Sequence, residues 1–160
     1  MSPKALVINQ LEAAKWLYDK FVSDFSDEDA RYMPKGSNHL NWILVHLAVS
    51  EDSITSKLSG RPKQLAESLH KEYAGGSTCR ADDGMTLAEA KKLYDESHRR
   101  TVEFIKGYDE SKLGDKAPEG FPPLFPTSGS VIGLLGTHPF WHFGQLTVIR
   151  NMLGKPKLLM

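Results

Sequence analysis

Two histidines four residues apart, His138 and His142, stand in the run Thr-His-Pro-Phe-Trp-His-Phe-Gly-Gln-Leu near the C-terminal end. On a helix, residues at this spacing lie on one face, one turn above the other. Two imidazoles so placed offer two nitrogen lone pairs to one divalent metal. The same face carries Val131, Leu135 and Ile149, so both rings point toward a core. An unpaired polar group there costs about 1–3 kcal/mol, and a metal would satisfy both rings at once. The zinc-protease pattern is excluded, because it needs Glu directly after the first histidine and this chain has Pro139. Pro139 also removes the backbone hydrogen bond to Leu135, which predicts a kink beside the site.

Three other histidines are candidates to complete such a site. His46 falls roughly 60° from Ile43 and about 100° from Leu47 on a helical wheel, bordering a buried stripe. His39 lies two turns earlier on the same side. His98 follows Tyr94 by four residues and precedes Thr101 by three, so it also turns inward. Hydrogen-bonded core histidines are the competing reading for each.

Four amphipathic segments must position these residues. The first spans about Pro3 to Phe25, with Val7, Leu11, Ala14, Tyr18, Phe21 and Phe25 as its stripe and Ser2 as its cap. A short turn or small helix opens at Ser26-Asp27-Glu28-Asp29. The second long segment spans about Asn38 to Leu58, capped by Ser37 and stopped at Gly60. A weaker helical stretch covers Lys63 to Tyr73. The third runs from about Leu87 to Tyr108 behind the capping-box pattern Thr86-Leu-Ala-Glu89. The fourth runs from about Ser130 to Leu153, ended by Gly154. Between the last two, Ala117 to Ser128 holds Pro118, Pro122, Pro123 and Pro126, with Phe121 and Phe125 to pin it against the helices. No strand periodicity persists. The chain reads as an all-α four-helix bundle, one domain over residues 1–160.

Composition narrows the function classes. Lys and Arg total 20 against 20 Asp and Glu, so no basic excess points to nucleic acid. The single cysteine, Cys79, sits in a Gly/Ser-rich loop, cannot form an internal disulfide, and fits a reducing cytoplasmic setting. No apolar run is long enough for a membrane span, and no signal-peptide core opens the chain.

Three patterns together resemble the DinB-like family of metal-binding four-helix bundles. They are Asn41-Trp42-Ile43-Leu44-Val45-His46-Leu47-Ala48, then His138-x-x-x-His142-x-Gly144-Gln145-Leu146, then Arg150-x-x-Leu153-Gly154. The resemblance implies an up-down-down-up bundle, often a homodimer. It implies His46, His138 and His142 as ligands of a divalent transition metal, nickel or zinc. His39 and His98 match no ligand position. They remain pocket or ligand-orienting candidates, with Tyr94, Ser50 and Gln145.

Three neutral imidazoles leave a divalent metal with an open position. Two chemistries suit it: hydrolysis by acidified water, or transfer of a low-molecular-weight thiol to a small electrophilic substrate. No general base stands out: Glu51 projects away from His46, Ser50 is a weak base, and Tyr94 with His98 are a relay or simple packing. The other expectation is a non-catalytic metal-binding or stress-response module that holds a small ligand or protein partner. Gly144 is expected to allow close helix approach. Phe140, Trp141 and Phe143 should supply core or pocket wall.

Overall fold

The computed structural model describes residues 2–81 and 83–158. In chain order its helices are α1 (Pro3–Val22), α2 (Asp27–Arg31), α3 (Leu40–Ser59), α4 (Glu67–Tyr73), α5 (Leu87–Gly107) and α6 (Ser128–Met152), with a 3-10 turn at Glu110–Gly114. The four long helices form the bundle, and the described residues contain no β-sheet.

Side-chain contacts fix the directions of the helices. Lys4 Nζ donates to the carbonyls of Lys106 and Tyr108, joining the start of α1 to the end of α5. Those two helices are therefore antiparallel. Arg150, near the end of α6, donates to Asp24 and to the Phe21 carbonyl at the end of α1, so α1 and α6 run the same way. Ser97 Oγ donates to the Ala48 carbonyl and Thr101 Oγ1 to Glu51, which makes α3 and α5 parallel. The result is up-down-down-up.

Local signals explain most boundaries. Ser2 caps α1, and the boxes Ser26/Asp29 and Thr86/Glu89 open α2 and α5. α1 stops at Val22, earlier than its stripe predicts, and Phe25 packs into the core from outside the helix. α6 starts at Ser128 because Thr127 and Ser130 form a third box. The predicted Ser37 cap of α3 is corrected. His39 caps the helix, its Nδ1 accepting from the Trp42 amide at 3.1 Å. Gly60 ends α3 with φ +70°, a conformation that favours glycine.

Burial falls into two apolar clusters. One gathers Tyr18, Phe21, Leu44, Tyr94, Leu146 and Ile149; the other gathers Leu11, Ile54, Ile105, Val131 and Leu135. Along α6, His138 and His142 lie between the residues feeding these clusters. α3 is buried on nearly every side from Leu40 to Val49, as befits a helix packed against several others. α6 keeps one helical span through Pro139, whose carbonyl accepts a hydrogen bond from the Tyr18 hydroxyl at 3.1 Å. Close approach of α6 to α1 occurs at Gly136, where a Cβ would fall against Gln10. It does not occur at Gly144, which faces open space.

The Pro-rich connection folds back on itself. Ala117 N–H donates to the Pro126 carbonyl and Ser128 N–H to the Asp115 carbonyl. Phe121 and Phe125 pack against the second cluster, as their place in the sequence predicts.

Candidate metal centre

α3 and α6 run antiparallel and bring His46, His138 and His142 into one cluster. One ligand atom from each lies within 4.8 Å of the others. Nε2 of His138 stands 3.1 Å from Nε2 of His142 and 3.4 Å from Nε2 of His46. The other ring nitrogens set the tautomers. His46 Nδ1 lies 2.7 Å from the Tyr73 carbonyl, an acceptor only, so Nδ1 carries the hydrogen. His142 Nδ1 likewise donates to Gln145 Oε1 at 3.0 Å. Both rings therefore turn an Nε2 lone pair inward, the arrangement that supporting hydrogen bonds give metal-ligating imidazoles. Trp42 stacks on the His46 ring at 4.7 Å and 7°, which fixes its plane.

Electrostatics favour the same state. Burial pushes the His46 pKa down to about 4 and that of His138 to about 3, and it lowers His142 as well. The rings are thus neutral at neutral pH, and converging lone pairs repel unless a cation sits among them. The residues present fit a divalent transition metal: a borderline-soft nitrogen donor set, no carboxylate or thiolate in the cluster, and hydrogen bonds orienting two of the rings.

The centre opens on a groove of about 350 Å³ between α3, α6 and the Pro-rich connection. Its walls are mostly apolar and include Val49, Ile54, Phe121, Leu134 and Trp141. Ser50 lies on this groove, its Oγ 3.5 Å from His46 Nε2.

The structure separates the remaining candidates from this centre. His39 is fully buried as the α3 cap, and its Nε2 meets the Arg80 carbonyl at 2.8 Å, so it belongs to neither the cluster nor the groove. Tyr94 packs edge-on against Tyr18 in the first core cluster. His98 lies edge-on to Tyr94, its Nε2 3.8 Å from Glu12 Oε2 on α1. An inward direction was legible for both residues; the neighbour met there was not. Cys79 is partly buried, and burial pushes its thiol up, away from the reactive thiolate.

The model of the DinB superfamily matches residues 10–146. This chain belongs to the DinB superfamily. The match runs from Gln10, within α1, to Leu146 and so contains all three histidines. A crystal structure described as a conserved protein of locus from Enterococcus faecalis is similar in fold, with a TM-score of 0.70 at 19% identity over 97% of this chain and 99% of that one. No curated protein matches the sequence. A DinB-superfamily bundle with a converging histidine cluster is compatible with metal binding. Among the described residues no helix is long and apolar enough to cross a membrane.

Gln145 offers a direct check on this DinB-superfamily centre. Gln145→Leu removes the acceptor that orients His142 and is expected to weaken metal affinity about 10–100-fold. Competition against a chromophoric chelator measures this, and an unchanged affinity would deny the hydrogen bond a role.

Proposed function

We propose that the protein is a metal-dependent enzyme acting on an apolar small molecule, with His46, His138 and His142 holding nickel or zinc. Its reaction is hydrolysis or the transfer of a low-molecular-weight thiol. One observation carries the reading: three neutral imidazoles converge at the edge of an apolar groove, and no further His, Cys, Asp or Glu of the described residues joins the group. A metal there would supply Lewis acidity, making a water or thiol more acidic.

The chain's own residues do the rest. Tyr73 and Gln145 hold two imidazoles in the binding tautomer. The groove walls exclude water from an apolar substrate. Ser50 supplies a hydroxyl beside His46. A homodimer is part of the proposal, because Trp141, Val148 and Met152 leave one apolar stripe of α6 exposed for a second copy. The single cysteine supports a cytoplasmic setting.

The test is a screen of apolar epoxides and alkyl halides, with water alone and with low-molecular-weight thiols. Activity should disappear on chelation and return with nickel or zinc. Turnover that ignores both treatments would sink the reading. A tightly held ion with no turnover in either screen would favour a non-catalytic metal-binding module.

A further inference from the structure

A second cluster of reactive side chains lies outside the three histidines. His70 on α4 faces α3 with both ring nitrogens engaged. Its Nε2 is 2.9 Å from Asp52 Oδ2 and its Nδ1 is 3.1 Å from Ser53 Oγ. The Asp52 carboxylate also accepts the backbone N–H groups of Gln64 and Leu65 at 3.0 Å, so it cannot swing away. Asp52 and His70 are only 4% and 5% exposed. A carboxylate accepting from three donors fixes the hydrogen on Nε2 of the ring. In the neutral ring Nδ1 is then a lone pair, 3.1 Å from Ser53 Oγ and placed to accept its hydrogen. Orienting acid, imidazole and hydroxyl stand in the order that activates a serine, a pattern recognised by geometry and roles rather than by chain position.

Ser53 is partly exposed, and its exposed side is the apolar groove. It stands seven residues past His46, two turns along the same face of α3. One turn further, Lys57 also lines the groove. Its Nζ is held 3.1 Å from the Glu119 carbonyl and 5.1 Å over the Phe121 ring. That ammonium places positive charge on the wall of the same groove.

We propose that Ser53, His70 and Asp52 form a nucleophilic serine relay that cleaves carboxylic esters with an apolar acyl group bound in this groove. Ser53 Oγ bonds to the carbonyl carbon while its proton passes to His70 Nδ1. The ester C–O bond breaks, and the departing alcohol takes that proton. Water then adds to the acyl-serine and gives a proton to His70. The carboxylic acid leaves as His70 returns the proton to Ser53 Oγ.

A purely structural tie between α3 and α4 would need the same hydrogen bonds but would leave Ser53 no more reactive than Ser50, which lines the same groove. The protein as purified is treated with an alkyl fluorophosphonate, and the modified peptide is located by mass spectrometry. One phosphonyl group on Ser53 is expected, with Ser50 labelled at least about 100-fold more slowly. Ser53→Ala should abolish the label, and His70→Gln should slow it by a similar factor. Absence of label on Ser53, or equal rates at Ser53 and Ser50, would overturn the proposal. The comparison of the two serines is made in the unaltered chain, so it holds even if the His70 variant fails to fold. The readout is a covalent mass on one residue and does not depend on the metal reading.

Discussion

His142→Ala is expected to reduce bound metal from about one equivalent per chain to near none, while the bundle stays helical. The two remaining imidazoles come from different helices, and neither replaces the lost donor. Folding should tolerate the change, because His142 is only partly buried and its Nδ1 partner, Gln145, is also partly exposed and can turn to water. Metal content by plasma mass spectrometry, on protein prepared without nickel resin, reads the first effect. Far-ultraviolet circular dichroism reads the second. Thermal unfolding adds an independent signature: a ligand that binds only the folded state at 100 times its Kd stabilises by about 2.7 kcal/mol. Added zinc should raise the Tm of the unaltered protein and leave that of the variant where it was. A variant that kept full metal occupancy would remove His142 from the ligand set.

Glu51→Gln is expected to stabilise the protein at alkaline pH and to destabilise it at pH 4.5. Glu51 lies between α3 and α5, 2% exposed. Its Oε2 accepts from Thr101 Oγ1 at 3.2 Å, while Oε1 has no partner. Burial, opposed by the hydrogen bond from Thr101 and by the nearby Arg100 charge, raises its pKa from 4.5 to about 8. Below pH 4.5 the carboxyl is neutral both folded and unfolded. Between 4.5 and 8 the unfolded chain gives up the proton and the folded chain keeps it, so stability falls as pH rises. Above pH 8 both forms are ionised and the full penalty persists. The shift corresponds to a penalty on the order of 4 kcal/mol. A glutamine never ionises, but its buried N–H₂ inherits the position without a partner, which costs about 1–3 kcal/mol. The net gain at pH 8 is therefore about 2 kcal/mol, read as a rise in urea midpoint that turns into a fall toward pH 4.5, where only the amide cost remains. The same gain at both pH values would show that the charge of Glu51 is not the cause.

The sequence carried those parts of the fold that depend on local periodicity. Val7, Leu11, Ala14, Tyr18 and Phe21 were legible as one stripe, and all five are buried. Thr86 and Glu89 were legible as a box, and each bonds the other's residue. Convergence of His138 and His142 followed from their spacing. The rest depended on partners from other elements. Wheel geometry turns His98 inward, but only the packing of α1 against α5 brings Glu12 to it. His39 looked like a pocket residue because helical phase was extended past the true start of α3; one residue outside the helix, its ring caps instead. Glu51 was read as pointing away from His46 and its burial went unnoticed, since a carboxylate inside a bundle contradicts the usual bias of composition. The link from Asp52 through His70 to Ser53 joins α3 to α4, the helix with the weakest periodic signal. A histidine inside that weak segment was the one hint available.

The groove beside the three histidines has two kinds of wall. One is helical: α3 and α6 contribute His46, Ser50, Ser53 and His138, each fixed by the phase of a long, deeply packed helix. The other is the Pro-rich connection, which contributes Phe121, Pro122 and Phe125 from a segment tied down by a few backbone bonds near its ends. Insertions and substitutions are tolerated far more readily in a surface connection than in a bundle helix. Reactivity and selectivity are thus written in separate parts of the chain. Descendants of this protein could acquire new substrates by editing some ten residues of loop, with the three histidines and Ser53 left in place.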